Sequence, residues 1–284
     1  MPFASAISCA RAVQVAENLP SAPRVLAELQ ALLRDANNGL DEITELLRRD
    51  AGLTARIIRI SNGIVYNKGE PVASLEEALG RVGFEEVYRL TGLASVTGLV
   101  NFQLRYYGVA AQRLRENSVF VAVLMEELAQ FVAADARVSY TAGLLRSAGK
   151  IALDLAAQRD LRFVRPPALS PAGLLAWEQE FFGPTNPEVG AALLRAWRMP
   201  LEVYIPIRDH YLQSLAVDPI PMAKQLYLAA GAADEAGWGL AGEAGYWVVH
   251  RDKVLQELKL EPEIFGRIVA RARGKFEKTI SILA

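Results

Sequence analysis

The stretch Gly143-Leu144-Leu145-Arg146-Ser147-Ala148-Gly149-Lys150 decides how this chain is read. It lies within a helical pattern in which Val138, Leu144, Leu145, Ile151 and Leu155 supply the apolar positions. Two glycines bracket a polar pair, and the chemical centre of the stretch is Arg146-Ser147, a cation beside a hydroxyl.

Working outward, the pattern stays helical. Ahead of the octapeptide, Val121, Leu124, Met125, Leu128, Phe131 and Val132 trace one stripe, predicting a long amphipathic helix from Val109 to Ala134. Behind it, Pro166-Pro167 interrupts and Ser170-Pro171 opens a helix carrying Trp177, Phe181 and Phe182. Asn186-Pro187 repeats that start signal for a helix to Arg198, which Pro200 closes. A helix from Leu201 to Leu212 carries Asp209-His210-Tyr211, with a kink expected at Pro206. Further helices run from Met222 to Asp234 and from Pro262 to Ile282, the last with Phe265, Ile268, Val269, Ala272, Phe276 and Ile280 on its buried side. Between them, Gly237 to Trp247 is rich in glycine and aromatics. It lacks the Lys-Ser/Thr ending and the preceding strand of a phosphate-binding loop, so it reads as a structured loop.

Toward the N-terminus the helices are shorter. Residues 5–18 and 22–34 form a pair, with Ser21 and Pro23 starting the second; Asn37-Asn38-Gly39 turns into a third, and a fourth follows Asp50 with Leu53, Ile57 and Ile60 on one face. Ser74 and Glu77 have the spacing of a capping box, and Gly83 breaks the helix they begin. No run of alternating apolar and polar residues appears, so the expected fold class is all-α. Tyr106-Tyr107-Gly108 marks the boundary between a helical lobe of residues 1–107 and a second of residues 108–284.

Composition narrows the function classes. A content of 52% hydrophobic residues over 284 supports a sizeable core, and 31 basic against 32 acidic residues leave no global field to draw nucleic acid or anionic lipid. The single cysteine, Cys9, excludes an intramolecular disulfide and a cysteine-based zinc site and reads as a small packed residue. The N-terminal residues do not look like a secretory signal, and the longest uncharged apolar stretch, Leu90 to Leu104, is too short and too interrupted to span a bilayer. A cytoplasmic protein is expected.

The run Arg49-Asp50-Ala51-Gly52-Leu53-Thr54-Ala55-Arg56-Ile57-Ile58-Arg59-Ile60-Ser61-Asn62, with Tyr66, then Val72 to Leu79 and Gly83, resembles the N-terminal signature of HDOD domains. These are bacterial signalling domains related to the HD phosphohydrolases, in which the stretch quoted first reads G-L-L-H-D-I-G-K. The likeness covers residues 18–235. It implies a two-lobed helical HDOD fold with a C-terminal HD-like bundle. In the hydrolases, histidines and aspartates from several helices hold metals that activate water. Carried over residue by residue, the resemblance puts those ligands at Asn117, at Arg146-Ser147, at Asn186, at His210 in the Asp209-His210-Tyr211 segment, and at Ala230; only His210 keeps the type.

One imidazole cannot hold a metal, and the other histidine in the chain is His250. Arg146 opposes one: a guanidinium about 4 Å from a dication costs on the order of 8 kcal/mol at an effective dielectric of about 20. No metal or other cofactor is expected, and no catalysis. The resemblance implies instead a signal-transduction module acting on other signalling proteins in trans, of cyclic-di-GMP or two-component pathways; it leaves the oligomeric state open.

Two readings of the degenerate pocket remain. Arg146 either pairs with a carboxylate, as a buried cation must, or receives the phosphate of a nucleotide or another small anion, with Lys150 one turn further on the same face. An anion sensor would need Arg146 free of carboxylates. His210 reads as a structural histidine bonded to Asp209 or a backbone carbonyl. A partner-binding module would carry an exposed apolar patch between the lobes or on the Trp238–Trp247 loop. The basic stripe Arg267, Arg271, Lys275 and Lys278 reads as a solvated face and not as a nucleic-acid surface.

Overall fold

A computed structural model describes residues 7–17, 24–35, 39–63, 66, 69–100, 103–131, 134–159, 173–212 and 220–283. The fold is all-α. The first part of the chain forms α1 (Cys9–Glu17), α2 (Arg24–Arg34), α3 (Leu40–Arg48), α4 (Ala51–Ser61), α5 (Leu75–Val82) and α6 (Phe84–Val100). The second forms α7 (Ala111–Ala129), α8 (Ala136–Leu145), α9 (Ala148–Arg159), α10 (Leu174–Phe181), α11 (Asn186–Ala196) and α12 (Leu201–Asp209). There follow α13 (Pro221–Ala233), a π-turn (Asp234–Trp238), α14 (Ala244–Trp247), α15 (Arg251–Glu257) and α16 (Pro262–Leu283). Among the described residues the sole β-type pairing is an isolated bridge, Leu104 with Val109.

Helices α2 to α6 pack on one another as the first lobe, and α6 docks it on α7, α8 and α9. Polar contacts fix that docking: Tyr88 Oη lies 2.5 Å from Thr141 Oγ1, Arg89 donates to Glu126, and Arg137 donates to the Leu33 carbonyl. A division at 107/108 groups α1 with this lobe, whereas α1 packs on α9 and α11 of the second. Its small buried face of Ala12, Val15 and Ala16 suits the close approach of those helices.

Local signals act as expected where a side chain can reach its own backbone. Asp50 accepts from Leu53 N at the start of α4, and Ser74 accepts from Glu77 N at the start of α5. Glu77 returns its bond to Ala73 N instead of Ser74 N. Gly83 ends α5 at φ 81°, a left-handed conformation that favours glycine. Ser21, Pro23, Asn37, Asn38, Pro166, Pro167, Ser170 and Pro171 lie outside the described residues.

Three expectations need correcting. Residues 143–150 do not occupy the middle of a helix: Arg146 and Ser147 form the turn between α8 and α9. Helix α7 is not amphipathic, because α6, α8, α13 and α16 surround it, and from Asn117 to Ala129 every residue except Glu126 is buried. Phe131, assigned to its stripe, lies beyond its end and is exposed. Helix α11 is capped by Thr185, not Asn186, since Glu188 accepts from both the amide and the hydroxyl of Thr185. Asn186 thereby enters the first turn and turns inward.

The two glycines of the octapeptide are contact points between helices. A Cβ on Gly143 would lie 2.7 Å from Ala122 Cα of α7, and one on Gly149 would lie 1.9 Å from the Asn186 carbonyl oxygen and 2.7 Å from Gly190 N of α11. The octapeptide frame is thus a packing requirement.

Helix α16 covers α7 with Phe265, Ile268, Ala272 and Phe276, while Val269 and Ile280, expected on the same side, are only partly buried. Its basic stripe is not simply solvated. Arg271 and Lys275 both pair with Glu127, which is 6% exposed on α7. Either cation alone can satisfy that carboxylate, so Arg271→Ala and Lys275→Ala are each expected to cost less than about 1 kcal/mol. The double variant strands a buried carboxylate and should exceed the sum by about 1–3 kcal/mol. Urea denaturation of the four proteins measures the coupling; additive losses would show that Glu127 is solvated once α16 loosens.

Candidate functional site

The α8–α9 turn delivers Arg146 and, one turn later, Lys150 into the interior, where they are 2% and 1% exposed. Charges so far from water need a counter-charge, and Glu243 supplies it from the glycine-rich segment before α14. Arg146 Nη1 donates to both Glu243 oxygens at 3.0 and 3.1 Å, and Lys150 Nζ donates to Glu243 Oε1. Tyr211 Oη also donates to that oxygen, at 2.7 Å, and accepts from Lys150 at 3.1 Å. The second guanidinium nitrogen donates to Asn117 Oδ1 at 2.7 Å, and Asn117 passes the chain on to the Trp238 carbonyl.

On the other side, Asn186 Nδ2 lies 3.4 Å from Tyr211 Oη and 3.0 Å from both oxygens of buried Glu178. Glu178 also accepts from the Asn186 amide and from Tyr107 Oη. A continuous buried network therefore runs from the turn between the lobes to the loop before α14. Asp154 anchors the same turn by accepting from the Tyr106 amide.

Electrostatics follow from burial and pairing. Burial pushes the Glu243 carboxyl up, but the charges of Arg146 and Lys150 outweigh it and hold it at about 2. Burial works against the Arg146 charge, and Glu243 more than offsets it; for Lys150 burial and the Arg146 charge prevail, and its pKa is lowered. Glu178, buried and only partly compensated by Lys150, is pushed up to about 7. Burial, aided by the Arg146 charge, holds His210 down at about 3.

These shifts predict an unusual acid profile. His210, depressed from 6.5, contributes stability present above pH 6.5 and lost as pH falls toward 3. Glu178, raised from 4.5, contributes stability that is full below pH 4.5 and lost as pH rises through 7. Between 6.5 and 4.5 the two slopes, each about 1.4 kcal/mol per pH unit, oppose each other. Below 4.5 Glu243 joins His210 and stability should fall steeply. Denaturant titrations of wild type and His210→Gln from pH 7 to 4 test this: the variant should gain on wild type as pH falls, and a pH-independent difference would show that His210 is not held neutral.

Of the residues expected at the site, Asn117, Arg146, Lys150 and Asn186 join one network. His210 lies beside it, its ring 4.2 Å from Tyr211 and 6.0 Å from Trp247, with Nδ1 2.7 Å from the Ile207 carbonyl. Ser147 is buried and its hydroxyl has no partner, and Ala230 is buried in α13. Asp209 does not belong: it turns outward and pairs with Arg208, because the end of α12 can bury only one of the two neighbours and the imidazole goes in.

Glu243, Tyr211, Glu178 and Trp247 were not foreseen. A signal existed for one of them, since Glu243 is the sole charged residue between Ala236 and Val249. Trp247 is 3% exposed, and the exposed apolar residues of this region are Val248 and Val249, just past the loop where a patch was expected.

The arrangement does not fit a divalent metal. Two of its groups are cations, the carboxylate is spent on them, and among the described residues no three His, Cys, Asp or Glu side chains are grouped to hold an ion.

The fold is similar to that of a candidate signal transduction protein from Marinobacter aquaeolei VT8, with a TM-score of 0.71 and 20% identity over 94% of this chain and 59% of that one. This chain therefore spans 59% of the length of that protein. A candidate phosphohydrolase from Shewanella amazonensis SB2B (TM-score 0.62, 20% identity) matches 97% of this chain over 98% of its own. An HDOD domain protein from Geobacter sulfurreducens (TM-score 0.61, 21% identity) matches 92% over 88%. No curated protein matches the chain. At these identities the likeness is one of fold. The HDOD domain profile matches residues 19–212, which takes in the N-terminal signature, the octapeptide and His210, and the chain belongs to the HDOD domain family.

Proposed function

We propose that this chain is a non-enzymatic signal-transduction module that works in the cytoplasm through contacts with other signalling proteins, supplied in trans from cyclic-di-GMP or two-component pathways. The observation that carries this reading is Arg146 locked on Glu243, with Lys150 on the same carboxylate, where the hydrolase relatives gather metal ligands. The Marinobacter protein's signal-transduction name supports the class. No helix among the described residues is long and apolar enough to cross a membrane. Two of the four stripe cations on α16 are spent, since Arg271 and Lys275 both turn to Glu127. That speaks against nucleic acid as a partner.

The anion-sensor reading lacks support on its own criterion, because Arg146 is bound to a carboxylate on both oxygens. The test is thermal unfolding of the full chain with manganese, magnesium and nickel, beside phosphomonoesterase and phosphodiesterase assays. Neither a melting shift nor turnover is expected. A specific ion at about a hundred times its dissociation constant would add about 2.7 kcal/mol, and such a gain, or metal-dependent hydrolysis, would overturn the proposal.

A further inference from the structure

Four buried polar atoms at the site have no hydrogen-bond partner: Arg146 Nε, Ser147 Oγ, His210 Nε2 and Trp247 Nε1. They belong to neighbouring side chains. The Arg146 guanidinium lies 5.7 Å from the Trp247 ring centre, and the His210 ring lies 6.0 Å from it and nearly parallel, at 20°. Ser147 follows Arg146 in the same turn and is as deeply buried. Arg146 directs one terminal nitrogen to Glu243 and the other to Asn117, so its Nε–H is the unspent donor. A stranded buried donor or acceptor costs about 1–3 kcal/mol, and native interiors leave few of them. Those on Arg146, His210 and Trp247 lie on side chains packed together, and the Ser147 hydroxyl adjoins them in the chain, which points to a molecule shared among them.

The atoms themselves select its chemistry. His210 Nδ1 lies 2.7 Å from the Ile207 carbonyl, which can only accept, so Nδ1 carries the proton. The imidazole is held neutral, and Nε2 is therefore a bare lone pair. Arg146 Nε and Trp247 Nε1 are donors only, and the Ser147 hydroxyl can do either. An anion offers acceptors alone and would face the His210 lone pair. A cation would face the guanidinium. Water can donate to His210 and accept from the N–H groups, and a buried water needs two to four such partners.

We propose that Arg146, Ser147, His210 and Trp247 form a built-in site for internal water, roughly one or two molecules, which ties the end of α12 and α14 to the α8–α9 turn. This deepens the structural reading of the site and does not depend on the absence of catalysis.

The test uses the wild-type chain. In a ¹⁵N-labelled sample, the Trp247 indole proton should show direct cross-relaxation to a long-lived water, and the imidazole nitrogens of His210 should report the Nδ1–H tautomer; only His250 shares that spectral region. A high-resolution crystal structure should show isolated solvent density within hydrogen-bond reach of Arg146 Nε and His210 Nε2. An Nε2–H tautomer would overturn the proposal, as would Ser147 donating directly to His210 with no density between them. Extended density, or an ion, would overturn the assignment to water and make this a ligand site, an outcome separable from the metal and activity assays above.

Discussion

Gly149→Ala is expected to cost more than about 3 kcal/mol, the upper end of what overpacking usually does, and to lower the melting temperature by roughly 10 °C. The added methyl would sit 1.9 Å from the Asn186 carbonyl oxygen and 2.7 Å from Gly190 N, both backbone atoms. Neither can swing aside as a side chain would. The first turn of α11 is also pinned from the other direction, because Glu178 binds both the amide and the side chain of Asn186. Relief must therefore come from moving α9 away from α11, which disturbs Lys150 one residue later. Gly143→Ala should behave similarly against Ala122, where its Cβ would lie 2.7 Å from Cα. Gly266→Ala and Gly274→Ala on α16 are the controls: nothing lies within 4 Å of either added methyl. Alanine is the better helix former by about 1 kcal/mol, so both should raise the melting temperature. If Gly149→Ala melted within a degree or two of wild type, the α9–α11 crossing would be wider than described.

Glu243→Gln is expected to cost about 3–5 kcal/mol, because it leaves two buried cations without their carboxylate. The glutamine can still accept a hydrogen bond, so the loss reports charge more than geometry. Removing one of the stranded cations should recover part of it: Lys150→Met in the Glu243→Gln background is expected to be more stable than Glu243→Gln alone, although Lys150→Met by itself destabilises. That reversal of sign is the measurement that matters, and chemical denaturation of the four proteins gives it. A loss below about 1 kcal/mol for Glu243→Gln would mean that Lys150 is neutral and that hydrogen bonds to Tyr211 hold the network.

Much of the fold was legible because helices signal themselves locally. The stripe on α16, the cap at Ser74 and the break at Gly83 each depend on residues close together in the chain, and each is found. The reading failed where burial depends on distant elements. Helix α7 looked one-sided because its apolar residues trace a single stripe, whereas its polar residues Asn117, Ser118 and Glu127 are buried as well. Asp209 and His210 are adjacent in the chain, and only the packing of α12 decides that the imidazole enters and the carboxylate leaves.

By itself, the sequence determined the all-α class and the HDOD family, since these rest on residue types at short spacing. Tertiary structure alone decided what fills the site. Glu243 lies 97 residues from Arg146 along the chain, and any of 32 acidic residues could have been its partner. A buried charge makes a counter-charge obligatory, but Coulomb attraction acts through space, so only the folded path of the chain could say which carboxylate answers it.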